Sequence, residues 1–411
     1  MIPHIQRNQE GSVAILSGLV LLALLGFATL GIDIANLLVA RNELQNAADA
    51  GALAGAQVLY NDAGTEVNIN ANQTAYDTAT SNKSQGSTIE INAGDIERGH
   101  WRFATETFTH NDATSPVDLW NVSEAVLDAN LNFINAVKVT ARRNATPVAS
   151  FFAGIFGYED FQLEAEGVAY IGFAGTLLPE DVDEPIAICA GAITGWGNDE
   201  YTCLYGRMIN SGQDDVTGET GGWTSFEQDN ACTGGTNAAE VSALICGNGN
   251  PEAIDLSFPI ATNGGNIQSA FNDFFNCWTS NSNQTTLWEL TLPVVYCPGN
   301  NVGTCEELSG AVTINIVWIT GAGEDPQFND IPVSMEGWSQ GACSNLGEVA
   351  GRESCWNSFV THFNLQTFAG APAPYMKKCI YFLPDCTPHA PAGVTGGKNY
   401  GVLAKIPVLV N

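Results

Sequence analysis

Val13-Ala-Ile-Leu-Ser-Gly-Leu-Val-Leu-Leu-Ala-Leu-Leu-Gly-Phe-Ala-Thr-Leu-Gly-Ile32 is an uncharged run. At 1.5 Å per residue a helix of that length reaches about 30 Å, the thickness of a bilayer's hydrocarbon core. The run therefore predicts a membrane span. A cleaved signal peptide is the rival reading, because Arg7 precedes the apolar stretch; the length of the run and the further helix after it favour the span. Flanking charge orients it weakly, since Arg7 lies before the run and Arg41 after it, among Asp33, Glu43 and Asp49.

Outward from the span, helical spacing continues. Ile34, Leu37, Leu44, Ala48, Gly51, Gly55 and Val58 recur at three- and four-residue steps, and Asn61, Asp62 and Gly64 follow. The pattern predicts one helix to about Tyr60. Ala47, Gly51 and Gly55 lie four apart on one side with Ala48 beside them, a small-residue stripe that lets another backbone come close. Either the protein's own next domain or a partner satisfies that stripe. Asp33, where the apolar run ends, is either hydrated at the outer edge or a helix-contact residue.

The predicted fold class is α+β, with three parts. Residues 1–60 form the transmembrane and stalk helix, 65–176 a small α+β domain, and 186–411 a β-rich, cysteine-containing ectodomain. In the second part Thr88–Asn92, Gly99–Phe103, Ala136–Thr140 and Phe161–Ile171 read as strands and Val148–Phe156 as an apolar helix. The acidic stretch Pro179–Pro185 reads as a linker. In the third part Leu292–Tyr296, Val312–Ile319 and Tyr400–Val410 read as strands, and Asn210–Gly222 and Gly247–Pro251 as surface loops.

Composition narrows the function. The chain has 411 residues and a formal charge of -30, from 44 acidic against 14 basic side chains, which repels phosphate backbones and excludes nucleic acid as an expected partner. All 11 cysteines lie between Cys189 and Cys386, and none has the C-x2-C spacing of a zinc site. Disulfides are expected, which requires an oxidising compartment and places the C-terminal part outside the cytoplasmic membrane. Because short loops are easiest to close, the expected pairs are Cys189 with Cys203, Cys232 with Cys246, Cys297 with Cys305, Cys343 with Cys355 and Cys379 with Cys386, leaving Cys277 unpaired.

Signs of catalysis are thin. Gly337-Trp-Ser339-Gln-Gly341 matches the G-x-S-x-G elbow of serine hydrolases. A lone match in a chain with 43 glycines says little, and no HGGG-type oxyanion segment precedes it. Asp214-Asp215 and Asp181-Val-Asp183-Glu184 offer oxygen ligands without EF-hand order. No catalytic residue, cofactor or metal ligand is assigned, and the protein is not expected to be an enzyme.

The N-terminal pattern resembles a known family. Gly11-Ser-Val-Ala-Ile, the span ending Gly31-Ile32-Asp33, and Arg41-Asn-Glu-Leu44-Gln45-Asn-Ala47-Ala48-Asp49-Ala50-Gly-Ala52-Leu-Ala54-Gly-Ala56 are similar to the N-terminal domain of TadG-like Flp pilus-assembly proteins. Ala136-Val-Lys-Val-Thr140, Phe151-Phe-Ala-Gly154-Ile-Phe-Gly157 and Ala165-Glu-Gly-Val168-Ala169 resemble the segment that follows in Tad-like proteins. The resemblance implies a single-pass component of the bacterial cytoplasmic membrane, with a periplasmic or extracellular C-terminal domain. It also implies that the protein works with other pilus-assembly proteins of a tight-adherence system. Two departures stand out. The D-x-S-x-S motif of the von Willebrand A domain found in some relatives is absent. Leu16 stands where prepilins, counted from Gly11, need a Glu, so prepilin-peptidase processing is not expected. The alternative from another class is a surface adhesin or ligand-binding ectodomain on a membrane anchor.

Overall fold

A computed structural model describes residues 10–194, 200–210, 221–228, 236–265, 267–297, 302–320, 334–367, 369–376 and 378–410. The protein is α+β, with a long N-terminal helix followed by mixed helices and sheets.

The helix α1 spans Glu10–Gln57, 48 residues, and its N-terminal part is long and apolar enough to cross a membrane. Val13 to Ile32 touch almost nothing, their side chains lying open along the helix. Burial begins at Asp33 and continues through Ala40, Leu44, Ala47, Ala48, Ala52 and Ala56, at the three- and four-residue steps of one helix face. A second helix, α2 (Ala71–Ser81), buries Ala71, Ala75 and Ala79. With alanine and glycine on both, the two helices approach at nearly backbone distance. A Cβ on Gly51 would stand 2.9 Å from the Ala75 carbonyl oxygen and from the Ala79 Cβ, and one on Gly55 would stand 2.9 Å from the Ala75 Cβ.

Both helices lie on one face of a five-stranded antiparallel sheet, ordered Val408–Val410, Asp160–Tyr170, Ala136–Ala149, Ile96–Arg102 and Thr107–His110. Leu44, Leu59, Ile134, Val137 and Val139 fill the layer between. The edge strand Val408–Val410 comes from the far end of the described chain, so the C-terminal part returns to close the first sheet.

The larger sheet has seven strands among the described residues. Ile186–Cys189, Gly221–Thr224, Pro259–Asn263, Cys305–Ile319 and Trp288–Tyr296 pair in a closed ring, with Cys379–Pro384 and Arg207–Asn210 continuing outward from Cys305–Ile319. Helices Gln268–Ser282 and Val349–His362 bring Phe271, Phe274, Trp278, Trp356 and Phe359 onto it, the main core of this unit.

Several local expectations change. Val148–Phe156 is not a helix: Val148 and Ala149 end a strand, and only Ala153–Phe156 makes a 3-10 turn. Its amides are taken by a distant carboxylate, and Gly157 stops the turn at φ 89°. Thr88–Asn92 is not a continuous strand; Ser87–Thr88 pairs with Lys83–Ser84, and Glu90 bridges to Arg142. Tyr400–Val410 is strand only at Val408–Val410 and otherwise makes single bridges such as Phe173 with Leu403.

The Pro179–Pro185 stretch is stitched down. Asn250 accepts from the Val182 amide and donates to the Leu178 carbonyl, while the Asp183 amide donates to Thr291. Of the expected loops, Gly247–Pro251 therefore contains a buried Asn250, and most of Asn210–Gly222 lies outside the described residues.

The cysteine pairing is mostly long-range. Cys189 bonds Cys297, Cys203 bonds Cys386, Cys246 bonds Cys277 and Cys343 bonds Cys355. Only the last matches the short-loop scheme. Cys305 is disulfide-bonded, though not to Cys297; Cys379 is buried in its strand and not bonded to Cys386; Cys232 lies outside the described residues. Loop-closure entropy grows only logarithmically, about 0.6 kcal/mol per doubling. A sheet that sets residues 108 or 183 apart side by side easily overrides it.

Glu184 is 3 % exposed, and its carboxylate accepts from the Cys246 amide at 3.1 Å. Burial, reinforced by the nearby Asp183 charge and only partly offset by the amide, pushes its pKa up to about 7. A carboxyl raised in the folded state stabilises fully below its unfolded value of 4.5, and that contribution is lost as pH rises through about 7. Glu184→Gln should therefore match the parent protein near pH 4.5 and exceed it at pH 8. The difference should grow by about 1.4 kcal/mol per pH unit within the window, read by denaturant unfolding at the two pH values. Equal stability at pH 8 would contradict the assignment.

The helix seam predicts an inverted propensity effect. Ala is about 1 kcal/mol better than Gly in a helix, yet Gly51→Ala should destabilise, because overpacking costs about 1–3 kcal/mol. Gly51→Leu should be worse still. Thermal unfolding of the full chain in detergent checks this, and a raised midpoint for Gly51→Ala would refute the packing.

Candidate functional site

The point where α1 leaves its bare segment is built almost entirely from hydrogen bonds to one carboxylate. Asp33, 3 % exposed, follows Ile32 directly. Its Oδ1 accepts from the Phe151 amide at 2.7 Å, and its Oδ2 accepts from the Phe152 and Ala153 amides at 3.0 and 2.6 Å and from the Ser150 hydroxyl at 3.1 Å. Three consecutive amides turned toward one anion are what a sharp turn presents when its own carbonyls cannot reach them.

The turn belongs to the hairpin of Ala136–Ala149 and Asp160–Tyr170, which runs down α1 in reverse direction. Val137 packs at Gly55 and Val139 at Gly51. Further along, Ser84 donates to the Ala40 carbonyl while its own carbonyl accepts from Arg143, and Asn36 donates to the Ala149 carbonyl. The turn at residues 150–159 then arrives at Asp33. On the neighbouring strand, the Gln45 side chain donates to the Glu166 carbonyl, and Gly167 lies against the Ala48 and Asp49 backbone.

A second carboxylate shapes the same hairpin. Glu90 accepts from the amides of Asn144, Ala145 and Thr146 and from the Thr146 hydroxyl, where the strand register slips between Arg143 and Val148. Burial opposes its ionisation, but the amides and hydroxyl outweigh it and hold its pKa below the ordinary value. Arg142 beside it donates through Nε to Asp95 at 3.0 Å and also pairs with Glu164.

The predicted packing residues thus lie along one seam. Asp33, Ala47, Ala48, Gly51 and Gly55 all sit on the α1 face turned to the chain's own domain, Gly51 and Gly55 against α2 and the strand Ala136–Ala149. Glu90, Asn36 and Gln85, which donates to Asn36 Oδ1 at 2.6 Å, were not singled out from the sequence. Nothing in their local pattern signals contacts this distant.

Elsewhere the candidate chemistry resolves into structure. Ser339 ends a two-residue strand before a 3-10 turn, and its hydroxyl accepts from the Gly341 amide; His362 bonds the Glu336 carbonyl. Among the described residues no buried strand leads into an α-helix there, as the elbow requires. Asp181, Asp183 and Glu184 accept from the amides of Leu178, Thr291 and Cys246. Asp214 and Asp215 lie outside the described residues. A cavity of ≈ 420 Å³ opens behind the sheet, lined by Phe103, Glu124, Asp128, Phe133, Tyr170 and Phe173.

Residues 11–58 match the family described as Flp pilus-assembly TadE/G-like, and residues 54–169 match the one described as Tad-like Flp pilus-assembly. The two matches meet where α1 passes into the sheet domain, and they include both Asp33 and the turn it holds. No curated protein and no solved structure matches the chain. Through this helix and the domain folded along it, residues 11–169 are similar to TadG-like Flp pilus-assembly proteins.

Proposed function

We propose that the protein is a membrane-anchored, non-enzymatic assembly or structural component of a Flp-type, tight-adherence pilus system. In this reading Val13–Ile32 crosses the cytoplasmic membrane once and everything after Asp33 works outside it. The observation that carries the reading is the Asp33 junction. A helix apolar enough to span a bilayer continues, with no intervening linker, as a core element of the next domain, and a buried carboxylate locks the two together. Such a joint holds an ectodomain at a set height and angle over the membrane, which suits a scaffold for partners arriving there. The disulfides support placement of the C-terminal part in an oxidising compartment. The surroundings of Ser339 support a role without hydrolysis.

Alkaline phosphatase fused after Asn411 should be active in intact cells, while a reporter that works only in the cytoplasm should be silent at the same place. The opposite result overturns the orientation. Asp33→Ala removes the acceptor for the amides of Phe151, Phe152 and Ala153, and should leave the protein in the membrane at near-normal level while reducing piliation. Normal pilus counts at normal protein level would show that the joint is not needed for assembly.

A further inference from the structure

The turn that Asp33 holds is apolar and unprotected. Phe151 is 67 % exposed, Ile155 80 %, Phe156 74 % and Tyr158 62 %. In a water-soluble turn so many large apolar side chains would be costly. From Val148 to Tyr158 the chain carries no charge, in a protein whose formal charge is -30. None of these four side chains belongs to a core cluster.

Direction and height are both set by the helix contacts. The hairpin passes Gly55, Gly51 and Asn36 in turn and reaches Asp33 with its turn, so it points toward the N-terminal, apolar end of α1. Asp33 is the first residue after the uncharged run. The turn is therefore level with the place where the helix would emerge from a bilayer. On α1 itself Ile34, Leu38 and Val39 are also exposed at this level. Aromatic side chains are favoured at such depths, because rings with an apolar body and, in Tyr, a polar edge suit the headgroup boundary.

We propose that residues 151–158 form a second membrane contact, with Phe151, Ile155, Phe156 and Tyr158 dipping into the interfacial layer of the outer leaflet beside the span. The inference rests on the membrane-anchor reading above. Helix and hairpin together would give two points of attachment, fixing the domain's tilt where one helix would leave it free to swing. Asp33 then satisfies the turn's amides where water is scarce, so the turn can sit at the boundary without unpaired backbone groups.

The test uses the full chain in cells carrying the complete pilus system. A diazirine amino acid replaces Ile155 or Phe156, and separately Val20 in the span and Leu204, an exposed residue of the ectodomain. After illumination, adducts are identified by mass spectrometry. Lipid adducts at 155 and 156 approaching the yield at 20, with none at 204, are expected. Lipid adducts at 20 but none at 155 or 156 would overturn the second contact and leave the anchor standing. Protein adducts in place of lipid at 155 and 156 would also overturn it, reassigning the tip to a pilus partner. Absence of lipid adducts at 20 would overturn the anchor and this inference with it.

Discussion

One carboxylate and three backbone amides fix the bare N-terminal segment of α1 to the domain that follows it. Asp33 is the first charged residue after the bare helix segment, and it reaches across more than a hundred residues of sequence to the Phe151–Ala153 turn. An unpaired amide in a dry setting costs on the order of 1–3 kcal/mol, so three of them without an acceptor would not hold a turn in place. With the acceptor supplied, the hairpin can run the full length of the stalk, and the sheet has a helix to fold on. The small side chains at Ala47, Ala48, Gly51 and Gly55 complete the arrangement by letting that sheet and α2 come close.

The same use of carboxylates recurs beyond Asp33. Glu90 gathers the amides of a strand irregularity. Asp385, drawn below the ordinary range despite burial by bonds from His389, Thr387 and Asn315, closes the end of a sheet strand. An acidic balance of 44 to 14 reads first as a solvated surface. Part of it is instead turned inward as backbone acceptors, the role an anion fills better than a neutral oxygen.

The two sheets are not strung like beads. The chain leaves the first sheet after Tyr170, builds the larger one, and comes back so that Val408–Val410 pairs with Val168–Tyr170. Val394–Gly397 pairs on the way with Phe173–Thr176. A domain stitched through both of its ends resists separation from the first sheet better than one joined by a single crossing. Disulfides at Cys189–Cys297 and Cys203–Cys386 add covalent links across distant parts of the chain.

Sequence alone was sufficient for whatever depends on neighbours along the chain. The uncharged Val13–Ile32 run, the three- and four-residue spacing of α1 and the alternation of Phe161–Ile171 are local patterns. Each follows from helix or strand periodicity, and the α+β class and the family resemblance follow from them. The Val148–Phe156 stretch shows where such reading stops. Its apolar composition suggests a helix, but what shapes it is an acceptor at Asp33 that no local pattern announces. The cysteines make the same point, since spacing favours short loops only weakly while sheet topology sets which sulfurs meet. Whether Gly51 and Gly55 face this chain's domain or another's was open for the same reason. A stripe of small residues specifies closeness, and only the fold says to what.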